Sequence, residues 1–408
     1  MSYKSDLYIM LPCIQREKID YQTIEYKNGI LYKDELDKTA AYEFGTDLNS
    51  KIARFIPHKI TLACKTDDRE NPELLGHQDA FITISQYEKT EFCLVTICIV
   101  DVKEGLLTYI IDQSSRREMC IYEEGEDIPL NNWMKDTLKI EQAGRAFFAS
   151  CVSELPDAVE ARSILSAEAF HKDSDYSIVS KVTEENLKEN HAQYSHYDAY
   201  MSERGIIYVM KGFNETYEDR LNIECIMIFI VELIVLKITA INTANETINK
   251  AYTKEEVTSK DILEILESFA ESLPLWDTQQ FRYFLAQEFA NRVETAFKVS
   301  RYLTDYERSR TQLEQIVNIR KLNTSEKETR VVTYFATMLA IGQIIPITKA
   351  IDFNKSDGWK NILGQNTVPI ITLIIIVVFT AWFFFGKRIK KIITQIIKDE
   401  KRTNGEIE

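Results

Sequence analysis

Apolar and polar residues follow a strand-like pattern through the first half of the chain. Alternating or continuous apolar runs recur there, at residues 60–65, 80–86, 92–102, 107–111, 145–152 and 205–211. A period of two residues, or a short apolar run, is typical of a strand buried on one or both faces. Residues 157–172 and 184–193 have the polarity of helices or loops. The pattern predicts a mixed α/β sheet domain over residues 1–217.

A long apolar helix is predicted next, within a helical subdomain at residues 218–276. Its apolar run contains Glu224, Glu232 and Lys237. An ionised residue in the middle of a membrane span costs several kcal/mol. We therefore expect this helix to be buried inside the domain, and a second amphipathic helix follows at residues 259–273.

A helical pattern begins at Asp277 and continues without interruption. No Gly or Pro occurs between Pro274 and Gly342, and apolar residues recur three or four positions apart. The spacing predicts a stalk helix over residues 277–330 that enters the next segment without a break, roughly 100 Å long in all. The alternative is two or three shorter helices separated by polar turns, for example near residues 323–325.

Two membrane-length apolar segments follow the stalk. Residues 331–351 form the less apolar one, and residues 367–386 carry no charged side chain. About 20 apolar residues suffice for a helix to cross a bilayer. The sequence therefore predicts a transmembrane hairpin, with an outer loop at residues 352–366 and a basic tail at residues 387–408. The expected fold class is an α+β cytoplasmic domain joined by a long stalk helix to this hairpin.

The charge distribution gives the hairpin a direction. Four basic residues lie within residues 387–391, directly after the second span, whereas the loop between the spans is nearly neutral. The positive-inside rule then places both termini in the cytoplasm. We expect the protein to lie in a bacterial inner membrane. The net charge is −14 over the whole chain and −18 over residues 1–330, because residues 331–408 hold ten basic and six acidic residues. Such acidity argues against direct nucleic-acid binding and suits attraction of cations.

Sequence motifs for catalysis and cofactors are scarce. The seven cysteines include no C-x-x-C pair and are predicted to be reduced core residues. No P-loop, dinucleotide fingerprint, zinc-protease or serine-hydrolase motif occurs. The chain is therefore not expected to be an enzyme, and no cofactor is expected. Acidic runs at residues 67–70 and 123–127, and His191 with His196, are possible sites of a regulatory divalent cation; solvated turns and loops are the alternative.

The end of the stalk and the first span resemble the CorA-type divalent cation channels. The resemblance is carried by residues 330–337 (RVVTYFAT), the long preceding helix, the short polar loop and the more apolar second span that ends in basic residues. It covers roughly residues 277–391. It implies a homopentamer with a pore in a lipid membrane, in which each chain contributes one hairpin.

The resemblance also assigns pore residues. When the pattern of the family is aligned with the first span, six residues fall on the pore-facing side, three or four positions apart: Thr329, Val332, Ala336, Ala340, Gln343 and Ile347. Such spacing gives one helical stripe. The family's Gly-Met-Asn signature at the pore entrance falls on Ala350, Ile351 and Asp352. The amide that selects hydrated Mg²⁺ is replaced by an acid, which implies a pore of low selectivity.

Divergent members of this superfamily act in type III CRISPR systems. They are opened by a signalling nucleotide, and an adenylylated S-adenosylmethionine has been described for the group. The resemblance therefore implies a nucleotide-gated channel that acts as an antiviral effector. One alternative is a Mg²⁺ transporter gated by its own ion. A second is a membrane-anchored binding protein that conducts nothing.

Overall fold

A computed structural model gives the fold of most of residues 4–315. The described residues are 4–15, 17, 21–44, 52–66, 73–87, 90–103, 105–167, 177–192, 195, 197–211, 216–253, 281–315 and 333. The chain divides into two compact units, Met1–Val317 and Asn318–Glu408. Thr333 is the described residue of the second unit, and the described helices, strands and pockets belong to the first unit.

A ten-stranded sheet forms the centre of the first unit. Its strands are β1 (Ser5–Gln15), β2 (Ile52–Lys65), β3 (Leu74–Tyr87), β4 (Phe92–Ile99), β5 (Cys120–Glu123), β6 (Glu126–Pro129), β7 (Ile140–Gln142), β8 (Phe147–Val152), β9 (Tyr197–Met201) and β10 (Gly205–Met210). Their order is β6-β5-β2-β3-β4-β1-β8-β10-β9, with β7 beside β1. The paired strands run antiparallel, except that β8 and β10 are parallel.

Helices cover both faces of this sheet. They are α1 (Lys27–Phe44), α2 (Leu107–Arg116), α3 (Leu130–Trp133), α4 (Ala158–Ser166), α5 (Ser177–Asn186), α6 (Tyr217–Thr253) and α7 (Phe284–Ala296). A π-helical turn, Met134–Leu138, continues α3, and residues 299–315 are also helical. The predicted mixed α/β domain is confirmed, but the run at residues 107–111, predicted as a strand, forms the start of α2.

Two hydrophobic cores lie on opposite faces of the sheet. β4 is buried along its whole length. Because successive side chains of a strand point to opposite faces, Leu94 and Cys98 join the core under α1, α6 and α7, whereas Val95 and Ile97 join the core under α2 and α4. A strand that is covered on both faces reads as a continuous apolar run. This explains the run seen in the sequence at residues 92–99.

The segment predicted as one stalk helix is interrupted. α7 begins at Phe284 and ends at Ala296, and Lys298 has a positive φ of 53° before the helix resumes at residue 299. Phe297 is fully buried, with its ring centroid 5.0 Å from that of Phe147. Because Phe297 packs into the core, residues 297 and 298 form a turn instead of continuing the helix. The remainder of the predicted stalk, residues 316–330, lies outside the described residues.

The predicted transmembrane hairpin requires correction. Across the part of the chain that the structure describes, no helix has both the length and the apolar character needed to cross a membrane. This finding contradicts the membrane part of the predicted fold class, the membrane-protein assignment and the location in an inner membrane. The long apolar helix that is described, α6, does not qualify as a span because it contains charged residues such as Arg220 and Glu232, which find ion-pair partners where the helix packs against the sheet. The expected spans, 331–351 and 367–386, lie outside the described residues except for Thr333.

Candidate functional site

None of the site residues predicted from the sequence falls in the described part of the chain. Thr329, Val332, Ala336, Ala340, Gln343, Ile347, Ala350, Ile351 and Asp352 all lie outside it. The candidate sites of the first unit therefore come from its three-dimensional structure alone.

The possible cation sites fall only partly within the described residues. Residues 67–70 and His196 lie outside the described residues. Residues 123–127 form the β5–β6 hairpin, in which Asp127 pairs with Lys65 at 2.8 Å and Glu123 accepts a hydrogen bond from the Trp133 indole at 3.1 Å. In the described ranges, no three His, Cys, Asp or Glu side chains are grouped so as to hold a metal ion. These carboxylates are used in structural contacts.

A polar cleft of the described domain is the first candidate site. It has a volume of about 930 Å³ and lies between α4, α5, the β9–β10 turn and α7. We call it the polar cleft and define it by its lining residues: Arg145, Leu165, Ser166, Val182, Thr183, Asn186, Glu189, His191, Met201, Ser202, Glu203, Arg204, Glu288, Asn291, Arg292, Thr295, Ala296 and Lys298. Pockets for small molecules usually have volumes of about 300–1,000 Å³.

The floor of the cleft is the end of α4 crossed by the β9–β10 turn. Ser202 Oγ donates a hydrogen bond to the Leu165 carbonyl, and the guanidinium of Arg204 lies 3.4 Å from the Ser166 carbonyl. These contacts satisfy carbonyls that the end of a helix leaves without a partner. Gly205 permits the approach, because a Cβ there would lie 1.8 Å from the Ile164 oxygen. The turn is thereby fixed against α4.

One face of α7 forms a wall of the cleft. Glu288, Asn291, Arg292 and Thr295 line it, and their spacing of three or four residues puts them on one side of the helix. The opposite side of α7 is apolar and buried in the core, through Ala286, Phe289, Ala290 and Val293. The amphipathic pattern of α7 therefore sets the orientation of the polar wall.

Four basic side chains from separate elements meet at the cleft. Lys298 Nζ pairs with Glu203 at 2.6 Å, and Arg292 Nε pairs with Glu288 at 3.2 Å. Arg145, which precedes β8, makes no ion pair with any residue in the described ranges. Both ion pairs are half-exposed, so they are weakly held and their cations can exchange partners.

His191 adds a neutral polar group to the cleft. Burial lowers the pKa of its imidazole and nearby Arg292 lowers it further, whereas the Glu189 carboxylate, 3.8 Å from Nδ1, acts in the opposite direction. A neutral imidazole has one nitrogen that donates and one that accepts a hydrogen bond. At pH 7, His191 can therefore recognise a polar group without adding charge.

Two hydroxyl groups that line the cleft, those of Ser202 and Thr295, are not arranged for nucleophilic catalysis. Ser202 Oγ and Thr295 Oγ1 both donate to backbone carbonyls, of Leu165 and Asn291. A nucleophile needs a base within hydrogen-bond distance, and these two hydroxyls donate elsewhere. The arrangement fits binding better than it fits chemistry.

A second polar group is buried between α6 and the sheet. Arg220 binds Asp6 through two hydrogen bonds of 2.8 and 2.9 Å, and both side chains are fully buried. Arg220 Nη2 also lies 3.1 Å from Asp101 Oδ1, and the Asp101 backbone donates to Asp6 at 2.8 Å. The bidentate geometry makes this a strong pair. It fixes the first turn of α6 to the start of β1.

Two buried carboxylates follow on the same face of α6. Glu224, one turn after Arg220, accepts a hydrogen bond from the Tyr8 hydroxyl at 3.1 Å. Burial, and then the charge of Asp6, raise the pKa of Glu224 to about 8. Glu232 accepts a 2.6 Å hydrogen bond from the Tyr32 hydroxyl and lies 3.5 Å from Arg54 Nε. These contacts hold α6 in one register on the sheet.

Comparison with protein-family models, with curated proteins and with solved structures finds no match to this chain. The resemblance to CorA-type channels therefore stays a prediction that rests on residues 277–391 of the sequence.

Proposed function

We propose that the described α/β domain is a sensor that binds a phosphate-bearing nucleotide in the polar cleft. The observation that carries this proposal is the meeting of Arg145, Arg204, Arg292 and Lys298 at one cleft of about 930 Å³. They are brought there by three separate parts of a chain whose net charge is −14: the residue before β8, the β9–β10 turn, and α7 with the turn that follows it. Guanidinium groups bind phosphate with two parallel hydrogen bonds.

The rest of the cleft suits the other parts of a nucleotide. Leu165, Met201 and Ala296 supply apolar surface, on which a base or sugar can pack. Asn291 and the neutral His191 supply both donors and acceptors, as the polar edge of a base requires. The mixture of apolar surface with a few polar groups is usual in ligand pockets.

The sensor is proposed to bind its ligand without altering it. Binding would draw α7 and the β9–β10 turn together across the cleft, because both carry basic residues that can contact one phosphate group. A ligand shifts a conformational equilibrium only by its difference in affinity for the two states. Residues from both elements are therefore needed for a response.

The proposed ligand belongs to the class predicted from the sequence, the signalling nucleotides, and no pore is proposed. The residues expected to form a pore lie outside the described residues. Assembly into a homopentamer likewise remains a prediction.

Calorimetric titration of the purified chain tests the proposal. The panel comprises ATP, AMP, cyclic mononucleotides and dinucleotides, adenylylated S-adenosylmethionine and inorganic phosphate. At least one nucleotide is expected to bind much more tightly than phosphate. Arg145→Ala should reduce the affinity for that nucleotide by about 10- to 100-fold, since a hydrogen bond to a charged group is worth about 1.5–3 kcal/mol.

Arg308→Ala is the matched control. Arg308 is an exposed arginine of the helical stretch 299–315 and does not line the cleft. The proposal fails if no nucleotide binds more tightly than phosphate, or if Arg145→Ala and Arg308→Ala change its affinity equally.

A further inference from the structure

Exposed aromatic residues are concentrated at one place, where the end of α1 meets the start of α7. Tyr42, Tyr283 and Phe284 are 59%, 43% and 72% exposed. The rings of Tyr42 and Tyr283 stack with centroids 4.9 Å apart and planes inclined by 18°. Large apolar side chains grouped on a surface mark interaction sites, whereas single ones are ordinary.

These residues line a second cavity, separate from the polar cleft. It has a volume of about 760 Å³ and lies between α1, α6, β9 and the start of α7. We call it the aromatic pocket and define it by Lys38, Thr39, Tyr42, Glu43, Tyr197, Asn222, Ile223, Cys225, Ile226, Tyr283, Phe284, Leu285 and Ala286. None of these residues lines the polar cleft.

A carboxylate without a hydrogen-bond partner lies in this pocket. Glu43 is only 2% exposed, and its Oε2 has no hydrogen-bond partner. A buried polar group without a partner costs about 1–3 kcal/mol, and more if it is charged. Native proteins rarely retain such a group without a reason. A ligand that donates a hydrogen bond would remove the penalty.

The neighbouring cations leave Glu43 available. Lys38 pairs with Glu35, which lies one turn back on α1. Arg282 is exposed and donates its backbone N–H to the Glu43 carbonyl at 2.9 Å. Its charge lowers the pKa of the Glu43 carboxyl less than burial raises it, so that the pKa is about 7.

We propose that the aromatic pocket binds a small organic cation, one with a primary ammonium group beside an apolar body. The ammonium would donate to Glu43 Oε2, and the apolar body would lie against Tyr42, Tyr283 and Phe284. Aromatic faces attract cations by about 0.5–2 kcal/mol. A carboxylate with aromatic walls meets both requirements of this ligand class.

Ligand-observed NMR titration of the purified chain tests this with benzylammonium. Two related probes are compared with it: benzyl alcohol, which has nearly the same shape and no charge, and benzyltrimethylammonium, which has a bulkier charged group and no N–H donor. Benzylammonium is expected to bind at least about tenfold more tightly than the alcohol, which corresponds to about 1.4 kcal/mol. Benzyltrimethylammonium should fall between the two.

Variants locate the effect. Glu43→Gln should reduce the preference for benzylammonium over benzyl alcohol to less than threefold, whereas Asp34→Asn, an exposed acid of the same helix, should leave it unchanged. Phe284→Ala removes a mostly exposed ring, so it should weaken the binding of all three probes while the fold is kept. Equal binding of amine and alcohol by the wild type, or a preference retained in Glu43→Gln, would overturn the proposal.

The preference should also grow with pH from 6 to 8, as Glu43 ionises. The other titratable groups that line the pocket or act on Glu43 are Lys38, Cys225, Arg282 and the tyrosines Tyr42, Tyr197 and Tyr283. A hydrogen bond to Glu35 raises the pKa of Lys38, and burial raises that of Cys225. A preference that does not change with pH would exclude Glu43 as the acceptor.

Discussion

The buried carboxyl of Glu224 is expected to destabilise the fold at alkaline pH, and Glu224→Gln is expected to remove that effect. Glutamine has nearly the same shape and can keep the hydrogen bond from the Tyr8 hydroxyl. It cannot ionise. The substitution therefore isolates the cost of charging one side chain between α6 and β1.

The magnitude follows from the pKa. Burial raises the pKa of Glu224 from 4.5 to about 8. A group with a raised pKa in the folded state favours folding while it is protonated. That advantage is complete below pH 4.5 and is lost progressively as the pH rises to 8. Each pKa unit is worth about 1.4 kcal/mol, so between pH 5.5 and 8.5 the loss is roughly 3 kcal/mol.

Urea denaturation followed by tryptophan fluorescence measures this difference. At pH 5.5, Glu224→Gln and the wild type should have similar free energies of unfolding. At pH 8.5, the variant should be more stable by roughly 3 kcal/mol. Glu218→Gln, at an exposed position of the same helix, should stay within about 0.5 kcal/mol of the wild type at both pH values. A Glu224→Gln difference that is the same at both pH values would refute the assignment of the effect to ionisation of Glu224.

Two further substitutions test the packing that supports the cleft and α6. Gly205→Ala should reduce the free energy of unfolding by about 1–3 kcal/mol or more and weaken ligand binding in the polar cleft, because its Cβ would meet the Ile164 carbonyl at 1.8 Å. Gly76→Ala is the control, because there is open space around Gly76. Equal losses of stability for the two variants in urea denaturation would contradict a steric role for Gly205. Arg220→Ala should cost about 3–5 kcal/mol by leaving Asp6 charged and buried. Adding Asp6→Asn should then recover part of the loss, and a double variant as unstable as the sum of the two single variants would argue against a coupled pair.

The fold class of the first unit could be predicted because burial leaves a periodic signal. The apolar run at residues 92–99 became β4, and the run that contains Glu224 and Glu232 became the buried helix α6. Residues 107–111 were misassigned because a short apolar run fits a strand or a buried helix equally well. The break at Phe297 could not be foreseen, since it depends on a contact with Phe147, 150 residues earlier.

The sites could not be predicted because their residues are distant in sequence. Arg145, Arg204 and Arg292 carry no local motif, and only the fold brings them to one cleft. The sequence suggested His191 and His196 as a cation site, whereas the structure places His191 in the polar cleft. The charged residues of α6 did give a signal, because an acid in an apolar run needs a partner. The sequence could not identify that partner as Tyr8 for Glu224.

The central position of β1 has a consequence for how the chain acquires its fold. β1 is synthesised before the other described strands, yet it lies between β4 and β8 in the finished sheet. Its second edge is covered when residues 140–142 pair with residues 13–15 and residues 147–152 pair with residues 5–10. A ribosome adds about 5–20 residues per second, so that apolar edge stays open for many seconds of translation. Unpaired strand edges template aggregation. The nascent chain should therefore depend on chaperones until β8 has emerged, and truncations that end before residue 147 should be insoluble.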